Sequence, residues 1–238
     1  MTRRQVLTGA ALAAIAVGAA GGSLDGRVRR RLRELFMSEE EIAAARAEAR
    51  AEWRREQESA LGGRLAGRWA EVAGVRAATL SFADGGFRAA LVEIGSVATV
   101  ATLNLAASDY RCGYCRADAP ALRDLIRERP GRPFVFLEAA ILGPPSLELA
   151  KLSLAAATLG KFPEAHEALF ELSRDAGDGL AGRLAQRLDI DAAALAAAGP
   201  ESARLLEDHL RLADLLGIRV TPTYVLDGRP RIGVLTRS

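Results

Sequence analysis

The apolar positions of this chain change rhythm along its length, and each change marks an element. From about Gly26 to Val75 the pattern is helical. Ser38 with Glu41 three residues later forms a capping-box start, and behind it Glu40–Glu58 is almost wholly Ala, Glu and Arg. Ile42, Ala45, Ala49 and Trp53 make a narrow apolar stripe on that charged helix. Gly62-Gly63 interrupts the pattern, and around it Leu61, Leu65, Trp69 and Val72 recur at helical spacing. Gly85-Gly86 is a turn into β-like sequence, with strands expected over Phe87–Ile94 and Val97–Leu105, broken at Gly95-Ser96. A helix is expected from Cys112 to about Arg129, ended by Pro130-Gly131, and Phe134–Leu137 reads as a buried strand. After Gly143-Pro144-Pro145, helical patterns occupy Ser146–Gly160, Pro163–Ala176, Leu180–Leu188 and Glu201–Leu216. Arg219–Leu226 and Arg231–Leu235 complete the pattern as a hairpin around Asp227-Gly228. Strand, helix, strand, helical block, strand, strand is the order of an α/β sheet with a helical insertion, here at about 145–216.

Composition narrows the function classes. Half the residues are hydrophobic and 26% are charged, a globular balance, and a net charge of +2 is too small to imply nucleic-acid binding. Arginines dominate the cations, but they alternate with Glu and Asp, so no basic face with stacking aromatics forms. At the start, Arg3-Arg4 precede an apolar, Ala-rich run from Val6 to Ala20, and small residues follow through Gly22. Residues 1–22 therefore resemble a twin-arginine export signal, cleaved or retained as an N-terminal anchor, and place the protein in the periplasm or another extracytoplasmic space. Residues 26–75 then read as a helical spacer or as an oligomerisation stalk, because a narrow apolar stripe on a charged helix wants a partner.

Cys112 and Cys115 are the only two cysteines in the chain. At this spacing one turn of helix brings two thiols within disulfide reach. An inert disulfide closing so small a loop would constrain the unfolded chain little. A structural zinc site would need four ligands, and the only histidines, His166 and His209, stand in the helical block without ligand spacing to the cysteines. No metal is therefore expected. Redox exchange remains, since a thiolate at a helix N-terminus is stabilised by unpaired N–H groups and the helix dipole. Cys112 takes the part of exposed nucleophile and Cys115 that of resolving thiol. Gly113 and Tyr114 let the ring close, and Arg111 and Arg116 add flanking positive charge.

With these residues in view, the segment Asp109–Arg116 resembles the active-site segment of the DsbA-like thiol:disulfide oxidoreductases. The resemblance implies an α/β, thioredoxin-like fold with an inserted helical domain, here carrying an N-terminal helical extension, over a catalytic region of about 85–238. Pro120 stands where such proteins kink the active-site helix, and Glu138–Ser146 resembles the family's strand exit. Gly217–Tyr224 resembles the cis-proline loop facing the cysteines, which implies that Pro222 presents the backbone of Val220 or Thr221 to an extended substrate segment. The implied activity is exchange of disulfides with cysteine-containing exported proteins, with a membrane or periplasmic partner to reset the dithiol, no organic cofactor, and oligomerisation through the N-terminal helix as one assembly. Gly113-Tyr114 and Thr221 are closer to the isomerase and reductase members, but the direction of flux stays open. So do two other readings, a Cu(I)-binding or chaperone module using the thiols as soft ligands, and an inactive structural relative.

Two departures from the family pattern stand out. Where relatives carry Glu-Phe-Phe before the Asp-Tyr of the motif, this chain has Ala106, Ala107 and Ser108, so the buried carboxylate that serves the resolving cysteine is missing. Glu138 is read either as its substitute or as a strand-end surface carboxylate. The sequence also ends at Ser238, soon after the hairpin, so the sheet face covered by a final helix in relatives is expected either to be covered by the N-terminal helix or a partner, or to leave the domain less stable than its relatives.

Overall fold

The computed structural model describes residues 38–175 and 179–235. The export-type segment 1–22 lies outside the described residues. The chain divides into two units, Met1–Arg54 and Arg55–Ser238, and helix α1 (Glu39–Gly67) begins in the first and ends in the second. In the first unit the expected capping box is present. The Ser38 N–H donates to Glu41 Oε2 at 2.7 Å, and the Glu41 N–H donates to Ser38 Oγ at 3.1 Å. Among the described residues no helix is long and apolar enough to cross a membrane.

In the second unit α1 is followed by α2 (Trp69–Ala73), then by β1 (Arg76–Ala83) and β2 (Gly86–Glu93). Next come β3 (Asn104–Ser108), α3 (Gly113–Arg127) and β4 (Phe134–Glu138). The helical block comprises α4 (Pro144–Thr158), α5 (Phe162–Leu172), α6 (Leu180–Leu188), α7 (Ala192–Ala197) and α8 (Gly199–Leu216). The hairpin of β5 (Thr223–Leu226) and β6 (Arg229–Ile232) follows. The strands form a six-stranded sheet in the order β2-β1-β4-β3-β5-β6. Only β3 and β4 pair in parallel, Leu105 opposite Val135 and Ala107 opposite Leu137; β1 runs antiparallel to β4 and β5 antiparallel to β3. A parallel pair needs a crossover, and α3 supplies it.

Strand alternation sends successive residues to opposite faces. Leu105, Ala107, Val135 and Leu137 face a cluster completed by Leu212, Ala213 and Leu216 of α8 and by Leu61 and Leu65 of α1. Ala106, Phe134 and Phe136 face the other way, toward Leu122 and Ile126 of α3 and Tyr224 of β5. A third cluster, inside the helical block, takes in Tyr110, Cys112 and Cys115 beside Leu149, Leu169 and Phe170. The active-site motif thus sits at the seam between sheet and insertion.

The end of α1 packs beside α8 on one face of the sheet. The Arg64 Nε–H donates to Leu216 O at 2.6 Å, capping a free carbonyl at the end of α8. The Ile232 N–H donates to Glu58 Oε1 at 2.9 Å. Gly62 and Gly63 do not break the helix, and Gly62 packs against the Pro230 ring of β6, where a Cβ would make an ordinary 3.5 Å contact.

The α/β thioredoxin-like architecture with its insertion is as expected, but several elements differ. Arg76–Ala83 carries little strand signal in its Ala77-Ala78 start, yet it pairs with both β2 and β4 and is buried through Leu80. Conversely, Val97–Thr102 has strand composition but forms a loop after a short 3-10 turn, and β3 begins only at Asn104. The short α7, started by the Asp191 side chain accepting the Ala193 N–H at 2.9 Å, was not expected. At the hairpin, Asp227 and Gly228 both have positive φ, as a type I′ turn requires, and a Cβ on Gly228 would meet Val100 O at 2.3 Å.

If the end of α1 is core rather than spacer, Leu65→Ala should lower stability by about 2–5 kcal/mol in urea unfolding. A midpoint equal to wild type would show that α1 contributes nothing to this core.

Candidate active site

The carboxyl ends of parallel strands are where ligand and active sites gather in open α/β sheets, and here the end of β3 leads directly into the motif. Asp109 folds the turn: its Oδ1 accepts the Arg111 N–H at 2.8 Å and the Ser146 hydroxyl at 2.8 Å, while Oδ2 accepts the Leu142 N–H at 3.0 Å. One buried carboxylate therefore ties the motif to the exit of β4 and the start of α4. The flanking arginines do more than add charge. Arg111 donates to Ser173 O at 3.1 Å, and Arg116 donates to Phe170 O at 2.9 Å and to Ser173 Oγ at 2.8 Å, bolting the start of α3 to the insertion.

Cys112 is the N-cap of α3. Its Sγ accepts the Cys115 N–H at 3.3 Å and donates to Thr221 O at 3.4 Å. Both cysteines are free thiols. Cys112 is less open than expected of an exposed nucleophile, with 7% of its surface accessible, whereas Tyr114 is 72% exposed beside it. The thiol of Cys115, together with the backbone N–H groups of Cys115 and Tyr114, pulls the Cys112 pKa from 9.0 down to about 5. Cys115 moves the opposite way, well above the usual thiol range, because its hydrogen bond to Cys112 and its burial both favour the protonated form. One thiolate and one thiol is the division that exchange chemistry needs.

The Thr221–Pro222 peptide is cis, and Val220 and Thr221 are half-buried against the dithiol side of the sheet. Thr223 Oγ donates to Val220 O at 2.7 Å, fixing the loop before β5 begins. Pro120 lies inside α3, where it can donate no backbone hydrogen bond. It lines an open cavity of about 370 Å³ together with Phe87, Phe136, His166 and Phe170.

Glu138 is not a surface carboxylate; it is 3% exposed at the end of β4. Its Oε1 accepts the Ser153 hydroxyl at 2.7 Å and the Tyr110 hydroxyl at 3.2 Å. Burial raises its pKa to about 8, so the group is protonated at neutral pH. His209 sits behind it, its Nδ1 accepting the Glu138 N–H at 3.1 Å and its Nε2 bonded to Arg76 O at 2.9 Å. His166 packs among Tyr110, Phe136, Phe162 and Phe170. Two further buried residues went unnoticed in the sequence, Asp118 and Tyr224, bonded to each other at 2.6 Å beneath the motif. The signal for the first was present: Asp118 falls three residues after Cys115, on the same face of α3.

The strand order, the insertion after β4 and the dithiol at the start of α3 together decide the architecture. The chain has the DsbA-like thioredoxin fold. It is similar to the thiol-disulfide exchange protein alpha-DsbA2 of Wolbachia pipientis at 17% identity and a TM-score of 0.61, over 76% of this chain and 92% of that one. The catalytic domain of Proteus mirabilis ScsC is similar at 16% identity and a TM-score of 0.55, over 74% of this chain and 91% of that one. A thioredoxin-like oxidoreductase from Silicibacter pomeroyi is 28% identical with a TM-score of 0.50, over 56% of this chain and 78% of that one. No family model and no curated protein matches the sequence.

The depressed Cys112 pKa has a signed consequence. Between about 5 and 9 the unfolded chain holds a proton on this sulfur that the native DsbA-like domain does not. Stability of the reduced protein should therefore rise with pH across that window and be lost as pH falls through about 5. Thiolate absorbance near ~240 nm should titrate at the low end of the cysteine range and vanish in Cys112→Ser; a midpoint near 9.0 would contradict this assignment.

Proposed function

We propose that this protein is an exported protein thiol:disulfide oxidoreductase, with Cys112 as nucleophile and Cys115 as resolving thiol. The observation that carries the reading is the N-cap geometry: Cys112 Sγ held by the Cys115 N–H at 3.3 Å and facing Thr221 O at 3.4 Å, with a thiolate favoured at neutral pH. A thiolate in that position attacks a substrate disulfide, or is itself attacked when oxidised, through a mixed disulfide. Cys115, buried and protonated, becomes a nucleophile only once the mixed disulfide has formed, so the two thiols act in order. An extended substrate segment lies along Val220, Thr221 and Pro222, where backbone pairing supplies affinity without demanding one sequence. Gly113 gives the motif close access, and Tyr114, standing open beside the thiolate, is a contact surface for the incoming chain.

The substrates are cysteine-containing proteins outside the cytoplasm, where the twin-arginine-like residues 1–22 direct the chain. A separate redox partner resets the dithiol after each cycle. The reading draws support from the similarity to alpha-DsbA2 of Wolbachia pipientis, a thiol-disulfide exchange protein, and to the thioredoxin-like oxidoreductase of Silicibacter pomeroyi.

The test is trapping. Cys115→Ser, expressed with its export segment, should accumulate disulfide-linked adducts with extracytoplasmic proteins that dissolve on reduction. Cys112→Ser should form none and should lose activity in insulin reduction and in reactivation of scrambled ribonuclease. No adducts, together with stoichiometric Cu(I) binding by the wild type, would move the assignment to a metal-handling module. The reduction potential of the pair then gives the direction of flux.

A further inference from the structure

In relatives a buried acid before the motif serves the resolving cysteine, and here that position on β3 is Ala106. The methyl group does not leave an apolar void. Ala106 stands opposite Tyr224 of β5 in the sheet register and faces α3. Into that same layer α3 sends a carboxylate. Cys115, Asp118, Leu122 and Ile126 are its buried residues, a single stripe at helical spacing, with Asp118 5% exposed. At an interval of three residues the Cβ atoms of Cys115 and Asp118 are about 5–6 Å apart. Asp118 Oδ2 accepts the Tyr224 hydroxyl at 2.6 Å, and its two oxygens accept the Leu235 N–H at 3.0 and 2.9 Å. Among the described residues no cation is ion-paired with it.

We propose that Asp118, positioned by Tyr224, is the proton acceptor for Cys115 in this protein, supplied from the active-site helix instead of from the strand. The proposal rests on the dithiol reading above and deepens it. In the resolving step the Cys115 S–H proton passes to the Asp118 carboxylate, and the Cys115 sulfur attacks Cys112 Sγ. The Cys112–substrate disulfide breaks and the Cys112–Cys115 disulfide forms. The electron pair leaves with the substrate sulfur as a thiolate, so the dithiol is oxidised and the substrate reduced by two electrons.

Three observations favour this pair. First, a buried carboxylate next to a thiol is costly unless hydrogen-bonded, and Tyr224 and Leu235 supply the bonds. Second, Tyr224 stands within reach of the dithiol: burial, the Asp118 carboxylate and then the neighbouring cysteines hold its phenol protonated far above the ordinary range. Third, the alternative acid, Glu138, is engaged elsewhere. Its Oε1 accepts the Ser153 and Tyr110 hydroxyls, and burial holds the group protonated, so it is not poised to take a proton from a thiol. The small side chain at Ala106 is then a requirement, since a longer one opposite Tyr224 would compete for the space the acid and the phenol share.

The experiment mixes the reduced protein with glutathione disulfide from pH 5 to 9. Acid-quenched samples are alkylated and weighed to separate reduced, glutathionylated and internally oxidised protein. In wild type the glutathionylated species should form in proportion to glutathione disulfide and decay at a rate independent of it. Failure of glutathione disulfide to oxidise the dithiol at any concentration would overturn the oxidoreductase reading itself. If oxidation occurs, Asp118→Asn should slow decay of the glutathionylated species on the order of 10²-fold at neutral pH and make the decay rise with hydroxide concentration up to pH 9. Its formation, which depends on Cys112, should stay within about twofold. Tyr224→Phe removes only a hydroxyl, and it should shift the decay profile in the same direction by a smaller factor. Should Asp118→Asn fail to fold by circular dichroism, the Tyr224→Phe profile decides, and a profile matching wild type overturns the proposal. So does a folded Asp118→Asn with unchanged decay and pH dependence, or loss of the decay phase in Glu138→Gln but not in Asp118→Asn.

Discussion

A sulfur atom starts helix α3, and most of the site's behaviour follows from that. An N-cap must offer an acceptor to backbone N–H groups that have no partner inside the helix. Serine or aspartate usually does so; here Cys112 Sγ accepts the Cys115 N–H. An acceptor role favours the thiolate, and the same contact leaves Cys115 as the protonated partner. The asymmetry of the dithiol is thus built into the helix geometry, before any distant charge is considered.

Everything around the cap keeps that sulfur in place. Asp109 fixes the turn before it, Arg111 and Arg116 bind it to the end of α5 and the turn after, and Thr221 closes it from the hairpin side. These contacts come from segments separated by dozens of residues, so the geometry is a property of the assembled fold. The insertion is therefore part of the site's scaffold, since Ser173 and Phe170 receive both arginines. The sheet contributes the other half: the parallel β3–β4 pair sets Glu138 beside the motif, and the cis-proline loop and β5 bring Thr221 and Tyr224 to it.

The placement of the buried acids shows how far residue patterns carry. The loss of a carboxylate at Ala106 is plain in the sequence, as is the presence of one at Glu138. What the pattern does not reveal is which partners each acid meets. Glu138 points into the insertion, to Tyr110 and Ser153, because β4 ends there with its last side chain on that face. Asp118 reads as one more charged residue on a mixed helix until Tyr224 is seen opposite it. Similarly, Gly62-Gly63 looks like a helix break until Pro230 is found against it, and Ala77-Ala78 looks unlike a strand until β2 and β4 supply partners on either side.

Local chemistry determined the elements whose signals are self-contained. These are the capping box at Ser38 and Glu41, the dithiol at the head of a helix, the Asp227-Gly228 hairpin turn, and the alternation of sheet and helical block that identifies the architecture. Each depends on residues within a few positions of one another, and the physics that reads them is short-ranged. Tertiary structure alone decided the rest. It turned the end of α1 into core, because Leu61 and Leu65 meet Leu212 and Leu216 across the fold. It also set three buried carboxylates apart by bringing a particular hydroxyl or N–H to each. Burial and partnership set the protonation state of such groups, and both are made by residues that are remote in the chain.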